Sequence, residues 1–470
     1  MDRSDTISYR EFAQQVRRFP RTQLLSACAL VSSHQIAAPN NQEKEFAIPP
    51  FAVAGVARAA AIWANDNRPD QRIEEITIRR LCKAFIDVHD PFIDDMQLEA
   101  FFCRMANEQL TLQGALFNDV ARTQALLVDA AAEYGSTLIT ESFWRSVIGC
   151  TTHELFAVAL MLHASAIANR GRFDPTWLEQ PNFDPIHKII PKSTILDVFR
   201  KQFSATPKVL RELASIDQPQ GNLERYAFNP LRTRPIVDCG NGPHVAPVAQ
   251  LLMLRAGPGV LYYDAIKEGG RQFTSELGHV FQFYVGKQLR LTQGKVYDEV
   301  VFDGQSGQQR SVDFIVELPE AVLLVECKAI PMRADGRRGQ SQMHDDIAKT
   351  PGKAADQIDA TVALIHSNHP AFAFVPRDRP LVGIIVTLDP YYVMSVRKPL
   401  VDTWLASIRD LEQLVTITSS SFGSFLLKRP TGIHVPMVST NLRDAKLGRN
   451  VILDDAWVKL PFNPNNFPEV

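Results

Sequence analysis

Residues 310–329 read RSVDFIVELPEAVLLVECKA, and the fold turns on this stretch. Its second half, Ala321 to Ala329, is apolar at nearly every position, which suits a central strand buried on both faces. Two charges interrupt it. Side chains alternate with period 2, so Val322, Leu324, Glu326 and Lys328 share one face while Leu323, Val325, Cys327 and Ala329 share the other. The acid and the amine therefore point the same way. The first half, Arg310 to Leu318, is expected to form a second strand, joined through Pro319 and Glu320 in an antiparallel hairpin. The fixed negative φ of Pro319 argues against a type I′ turn. An even-length loop centred on these two residues pairs Leu318 with Ala321, Asp313 with Glu326 and Ser311 with Lys328. Directly opposed residues have Cβ atoms roughly 4.5–5.5 Å apart, and like charges there are destabilising. A divalent cation between them is the natural remedy, because Mg²⁺ takes carboxylate oxygens and keeps several waters. The plainer alternative puts Glu326 and Lys328 at a strand end, exposed or in an ion pair, with Asp313 in a polar turn. An ExK triplet recurs by chance. Here a buried strand, a hairpin partner, an acid in register and a preceding helix coincide.

From about Gln272 to Leu388 the arrangement resembles the PD-(D/E)XK nuclease superfamily. The resemblance implies an α/β (α+β) restriction-endonuclease-like core of order αβββαβ with a mixed sheet. An acid is then expected on the first helix, an Asp on the second strand, and an acid with a Lys on the third. Asp313, Glu326 and Lys328 match the strand positions, with Val312 where the motif's name has Pro. The stretch FTSELGHVFQFYVGKQL, Phe273 to Leu289, resembles the first helix, but where related sequences often read Phe-Glu this one has Phe281-Gln282. Glu276, the only carboxylate in that helix, is the candidate replacement; the alternative is an acid favoured by the helix dipole after Thr274 or Ser275. Gln357, in the expected helix KAADQIDATVALIHS, resembles the Gln or Lys that some members place there, and the alternative is a surface glutamine.

The resemblance further implies that Asp313 and Glu326 hold Mg²⁺, for which Mn²⁺ substitutes, with the Cys327 backbone carbonyl as a further ligand. Lys328 would orient or deprotonate the attacking water, or neutralise charge in the transition state. The implied activity is phosphodiester hydrolysis, with DNA the first substrate class and RNA the second. Analogy alone adds bacterial restriction or anti-phage defence, with nucleic acid, a homodimer mate or another defence-system subunit as partners. The competing reading is a catalytically silent member of the fold serving nucleic-acid binding or assembly, and Gln282 is its best support.

With 470 residues the chain should hold two or three domains. We expect a helical N-terminal domain over 1–220, for sensing, dimerisation or clamping nucleic acid. A nuclease-like domain over 221–470 would have its core at 272–390 and C-terminal additions at 391–470. Helical periodicity runs through IEEITIRRLCKAFIDV, MQLEAFFCRMANEQL, NDVARTQALLVDAAAEYG and Ser142 to Asn169, with ANDNRPDQ a loop. Arg225 to Gly270 mixes short β-like runs with Gly and Pro turns. The basic and polar stretch IPMRADGRRGQSQMHDDIAKTPGK reads as a loop, able to follow a phosphate backbone or simply solvated. Leu381 to Leu388 should be another strand of the sheet, Asp402 to Leu414 a helix, and Leu414 to Leu427 and Val451 to Leu460 should include strands.

Lys and Arg total 50 against 52 for Asp and Glu, so contact with nucleic acid must come from local patches. The six cysteines are scattered without a CxxC, as in a reduced, cytoplasmic protein. The polar start MDRSDTISYREFAQQ has no signal-peptide character, and no apolar run approaches a membrane span. His153-Glu154 lacks the second His of a zinc protease because Ala157 stands there. His366 and His369 lie beside Pro370 with no Cys or acid cluster, which favours a loop. No GxSxG and no Walker-type loop occurs.

Overall fold

The structure, a computed structural model, describes residues 6–37, 48–67, 72–91, 98–112, 118–219, 221–240, 244–304, 307–340, 342–392, 400–417, 433–434 and 448–461. It mixes α-helices with a six-stranded sheet made, in chain order, of β1 (Lys295–Asp298), β2 (Phe314–Glu317), β3 (Val322–Lys328), β4 (Leu381–Thr387), β5 (Thr403–Ser407) and β6 (Ile433–His434). The spatial order is β6-β5-β4-β3-β2-β1. The β1–β2 and β2–β3 pairs are antiparallel, whereas β3–β4, β4–β5 and β5–β6 are parallel.

Strand β3 is central, as its composition demands. Leu323 and Val325 join the apolar core beneath helix α1 (Pro258–Leu289), while Val322 and Leu324 join a second core beneath helix α2 (Lys353–His366). The expected hairpin register is present: Leu318 N–H donates to the Ala321 carbonyl at 2.9 Å and Phe314 pairs with Val325. The expected strand from Arg310 is shorter, because the chain leaves the β3 ladder ahead of Phe314. Gly307–Arg310 instead pairs with Val301–Gly304 in a separate hairpin, and Ser311 exchanges bonds with Val300 rather than facing Lys328.

The expected helix over Phe273–Leu289 exists and buries Phe273, Leu277, Val280, Phe281 and Tyr284 on one stripe. It continues N-terminally through a bend at Gly270, whose φ of 49° and ψ of −133° suit a residue without Cβ. Residues from Pro258 are therefore helical, where strands and turns were expected. Ahead of them, four two-residue strands (Arg172–Phe173, Ser204–Ala205, Ile236–Val237 and His244–Val245) form a small sheet.

Other expectations also change. The basic stretch after Ala329 is largely helical (Ala334–Arg337, Gln342–Ile347, Ala348–Gly352) because Met332, Met343 and Ile347 fold into the α2-side core. Asp402 to Leu414 splits into strand β5 and helix α3 (Ile408–Leu414), the break set by a capping box between Ser407 and Asp410. Val451–Lys459 is a helix capped by Asn450 rather than a strand. Of the expected strand over Leu414 to Leu427, residues 418–427 lie outside the described residues. The described residues among the first 215 are mainly helical, as their periodicity indicates.

The α1-side core is one continuous cluster from Tyr9 to Leu460 and crosses residue 220 without a break. A buried polar network ties the same parts together. Arg122, in the helix Asn118–Thr123, pairs with Glu412 of α3 and with Asp119; Glu412 also accepts from Tyr284 Oη of α1 at 2.9 Å, and Asp119 accepts from Arg409 at 2.5 Å. Among the described residues no single helix is long and apolar enough to cross a membrane.

Candidate active site

The site forms at the C-terminal end of β3, where its apolar face gives way to charge. Along that face Tyr297 of β1, Ile315 of β2 and Leu324 of β3 lie abreast in the α2-side layer. Two residues further, the same alternation puts Glu326 beneath the start of α2, with Ile385 of β4 as its parallel neighbour. Asp313 immediately precedes β2, at the position that continues the ladder opposite Glu326. Its Oδ2 accepts the Cys327 backbone N–H at 2.7 Å, which anchors the carboxyl although the strand has ended. Burial pushes the Cys327 thiol well above its usual range, so this residue contributes its backbone rather than a thiolate.

Lys328 Nζ donates to Glu326 Oε1 at 2.6 Å and to Gln357 Oε1 on α2 at 2.8 Å. Gln357 is thus no idle surface glutamine; it holds the lysine from the helix side. The Lys328 side chain is 23% exposed and the Glu326 side chain 2%, so the amine reaches solvent while the acid does not.

Electrostatics follow from that burial. Glu326 is pushed up to about 7, first by loss of water and next by the neighbouring Asp313, against the pull of Lys328. Its Oε2 is buried without a hydrogen-bond partner, although the Asp313 backbone amide lies near enough to favour ionisation slightly. Asp313 is raised as well, by burial, with the Cys327 amide and Lys328 opposing. Two carboxyls that ionise reluctantly side by side, with one oxygen unsatisfied, make a place for a cation.

Both oxygen donors are hard, and Mg²⁺ is commonly held by one or two carboxylates plus water and substrate oxygens, so the residues present fit that ion. Among the described residues no three His, Cys, Asp or Glu side chains converge closely enough to enclose an ion unaided.

The structure brings together Asp313, Glu326, Cys327, Lys328 and Gln357. Glu276 is elsewhere: it lies in the helix packed on the opposite face of the sheet, and among the described residues no hydrogen bond or ion pair joins it to the other four side chains. Nor does it cap a helix start, since the helix resumes directly after Gly270 and Thr274 Oγ donates to the Arg271 carbonyl. The arginines of the following segment are largely engaged. Arg333 pairs with Asp346 at 2.6 Å, Arg338 with Asp335 at 3.2 Å, and Arg337 with Asp389 at 2.5 Å while resting over the Tyr263 ring. His369 caps the turn at Pro370–Phe372 and packs on Phe302, a structural role consistent with the expected loop. Neither a protein-family model, nor a curated protein, nor a solved structure matches this chain.

Proposed function

We propose that this chain is a divalent-metal-dependent nuclease built on a restriction-endonuclease-like core, with DNA as its first substrate class. The observation that carries the reading is the placing of Asp313 just past the end of the β2–β3 ladder, held by the Cys327 amide beside Glu326, with Lys328 bonded to Glu326 and to Gln357. Supporting it is the order α1-β1-β2-β3-α2-β4, which matches the order the sequence resemblance implies once the inserted hairpin Val301–Arg310 and the short helices between β3 and α2 are set aside.

Asp313 and Glu326 would hold Mg²⁺ or Mn²⁺, with the Cys327 carbonyl as a further oxygen. When bound, the ion supplies positive charge for the scissile phosphate and lowers the pKa of a water. The chain's own residues do the rest. Gln357 fixes the Lys328 ammonium at the solvent-facing edge of the site, where it stabilises negative charge on the phosphate oxygens. The Cys327 amide keeps Asp313 oriented. Covering by α2 limits water around Glu326, which is buried, and this strengthens every charge interaction there. A water oxygen forms the new bond to phosphorus as the bond to the leaving sugar oxygen breaks; the attacking water gives up a proton to solvent and the leaving oxygen takes one from solvent.

Two observations favour a second reading, a catalytically silent nucleic-acid-binding or assembly module: Lys328 already forms an ion pair with Glu326, and Glu276 stands apart. The separating experiment is cleavage of supercoiled plasmid, linear duplex, single-stranded DNA and RNA in Mg²⁺, Mn²⁺ or EDTA, beside Lys328→Ala. Metal-dependent cutting that the variant lacks supports the nuclease and names its substrate class. Undiminished cutting by the variant would remove Lys328 from the mechanism.

A further inference from the structure

The β1–β2 ladder pairs Tyr297 with Ile315 and Asp298 with Phe314, so its next position sets Glu299 against Asp313. The β2–β3 ladder pairs Ile315 with Leu324, and its continuation sets Asp313 against Glu326. On the α2-side face, therefore, the apolar row Tyr297, Ile315, Leu324 is followed one step along by an acidic row: Glu299, Asp313, Glu326. Glu299 and Asp313 lie one step past the last paired residues of the β1–β2 ladder, just before the partners shift by one residue at the Ser311 N–H to Val300 carbonyl bond. An acidic row alone would not make a site, but this one ends on Glu326, 2% exposed, whose Oε2 has no hydrogen-bond partner. The charge of Glu299 is also felt at Asp313, where it opposes ionisation.

We propose that Glu299 is the third acid of the metal site, taking the place left by Gln282 and not filled by Glu276, and that Arg310 restrains it in the metal-free protein. This rests on the nuclease reading above. Glu299 Oε2 accepts from Arg310 Nη1 at 2.7 Å, so its carboxylate is turned toward the neighbouring hairpin rather than converging on Asp313. That pair is weak by position: the Arg310 side chain is 66% exposed and Glu299 21%. A divalent ion between Asp313 and Glu326 would offer Glu299 a stronger partner than the exposed Arg310, and its carboxylate would have to turn from Arg310 to reach it. Arg310, released, is then an exposed guanidinium beside the site, suited to a phosphate of the bound strand.

The test is calorimetric titration of Mn²⁺ into the full chain, without nucleic acid, for wild type, Asp313→Asn, Glu299→Gln and Arg310→Gln, with circular dichroism as a check on folding. Wild type should bind, Asp313→Asn should lose binding, and Glu299→Gln should weaken it at least about tenfold, as loss of a ligand or its support does. Arg310→Gln should tighten binding about two- to fivefold, the worth of an exposed ion pair. If Asp313→Asn loses the ion while Glu299→Gln binds like wild type, Glu299 is not a ligand and the nuclease reading survives. Should wild type bind no Mn²⁺, both fall together.

Discussion

Replacing Glu326 by Gln should stabilise the metal-free protein, and by an amount that depends on pH. The Glu326 carboxyl is raised from 4.5 to about 7, because burial and Asp313 together outweigh Lys328. A carboxyl whose proton affinity is higher folded than unfolded favours the fold while protonated. That contribution is complete below about pH 4.5 and is lost as pH rises through 7. At about 1.4 kcal/mol per tenfold change in proton affinity, the native state at pH 8 carries a cost of about 3 kcal/mol relative to acid. Glutamine keeps the shape and the Lys328 contact but cannot ionise. Urea denaturation in EDTA should therefore show Glu326→Gln ahead of wild type by about 2–3 kcal/mol at pH 8 and by less than about 1 kcal/mol at pH 5. An equal difference at both pH values, or a variant weaker than wild type at pH 8, would show that the buried Glu326 charge does not burden the fold.

Mg²⁺ or Mn²⁺ at a hundredfold excess over its dissociation constant should add about 2.7 kcal/mol to wild-type stability, measured as a rise in melting temperature that Asp313→Ala abolishes. In the cleavage assay Asp313→Ala should be inactive yet folded, since it also relieves carboxylate repulsion; a wild-type rate would remove it from the site. Gln357→Ala should lower the cleavage rate less than Lys328→Ala does, because it frees the ammonium without removing it; equal losses would make Gln357 more than a support. Gly383→Ala in β4 should destabilise by about 1–3 kcal/mol in thermal unfolding, because a Cβ there would lie 2.4 Å from Thr403 Oγ1 of the adjoining strand.

What could be read in the sequence was set by local rules. The register that opposes Asp313 and Glu326 follows from hairpin parity and side-chain alternation, and the Leu318–Ala321 bond realises it. The run VLLVECK identifies its own central place because only a doubly covered strand buries so many apolar residues. Illegible were the features that depend on distant partners. The stretch after Ala329 looks like a polar loop, yet Arg337 finds Asp389 and Tyr263, and two methionines turn inward. Glu299 lies 14 residues before Asp313, and only knowledge that β1 pairs with β2 sets the two abreast. The register rule that located Asp313 would have found it, had the strand Lys295–Asp298 been recognised ahead of the intervening hairpin. Glu276 lies in the helix where an acid is expected, but sequence periodicity does not say on which side of the sheet that helix lies.

The polar network around Arg122 bears on inheritance. Glu412 and Asp119 are buried acids, and each has a partner from the far side of residue 220: Arg122 answers Glu412, and Arg409 joins Arg122 in answering Asp119. Asp119 has Arg122 in its own half of the chain, but among the described residues the half that carries Glu412 gives that acid no ion-pair partner of its own. A natural recombinant or an engineered chimera that kept residues 221–470 and took its beginning from a diverged chain would have to import Arg122 and Asp119 as well. Otherwise it would strand Glu412 as an uncompensated buried charge, at about 3–5 kcal/mol. Exchange at residue 220 is thus closed to this protein unless both ends of the network change together, and its two halves must diverge as one lineage.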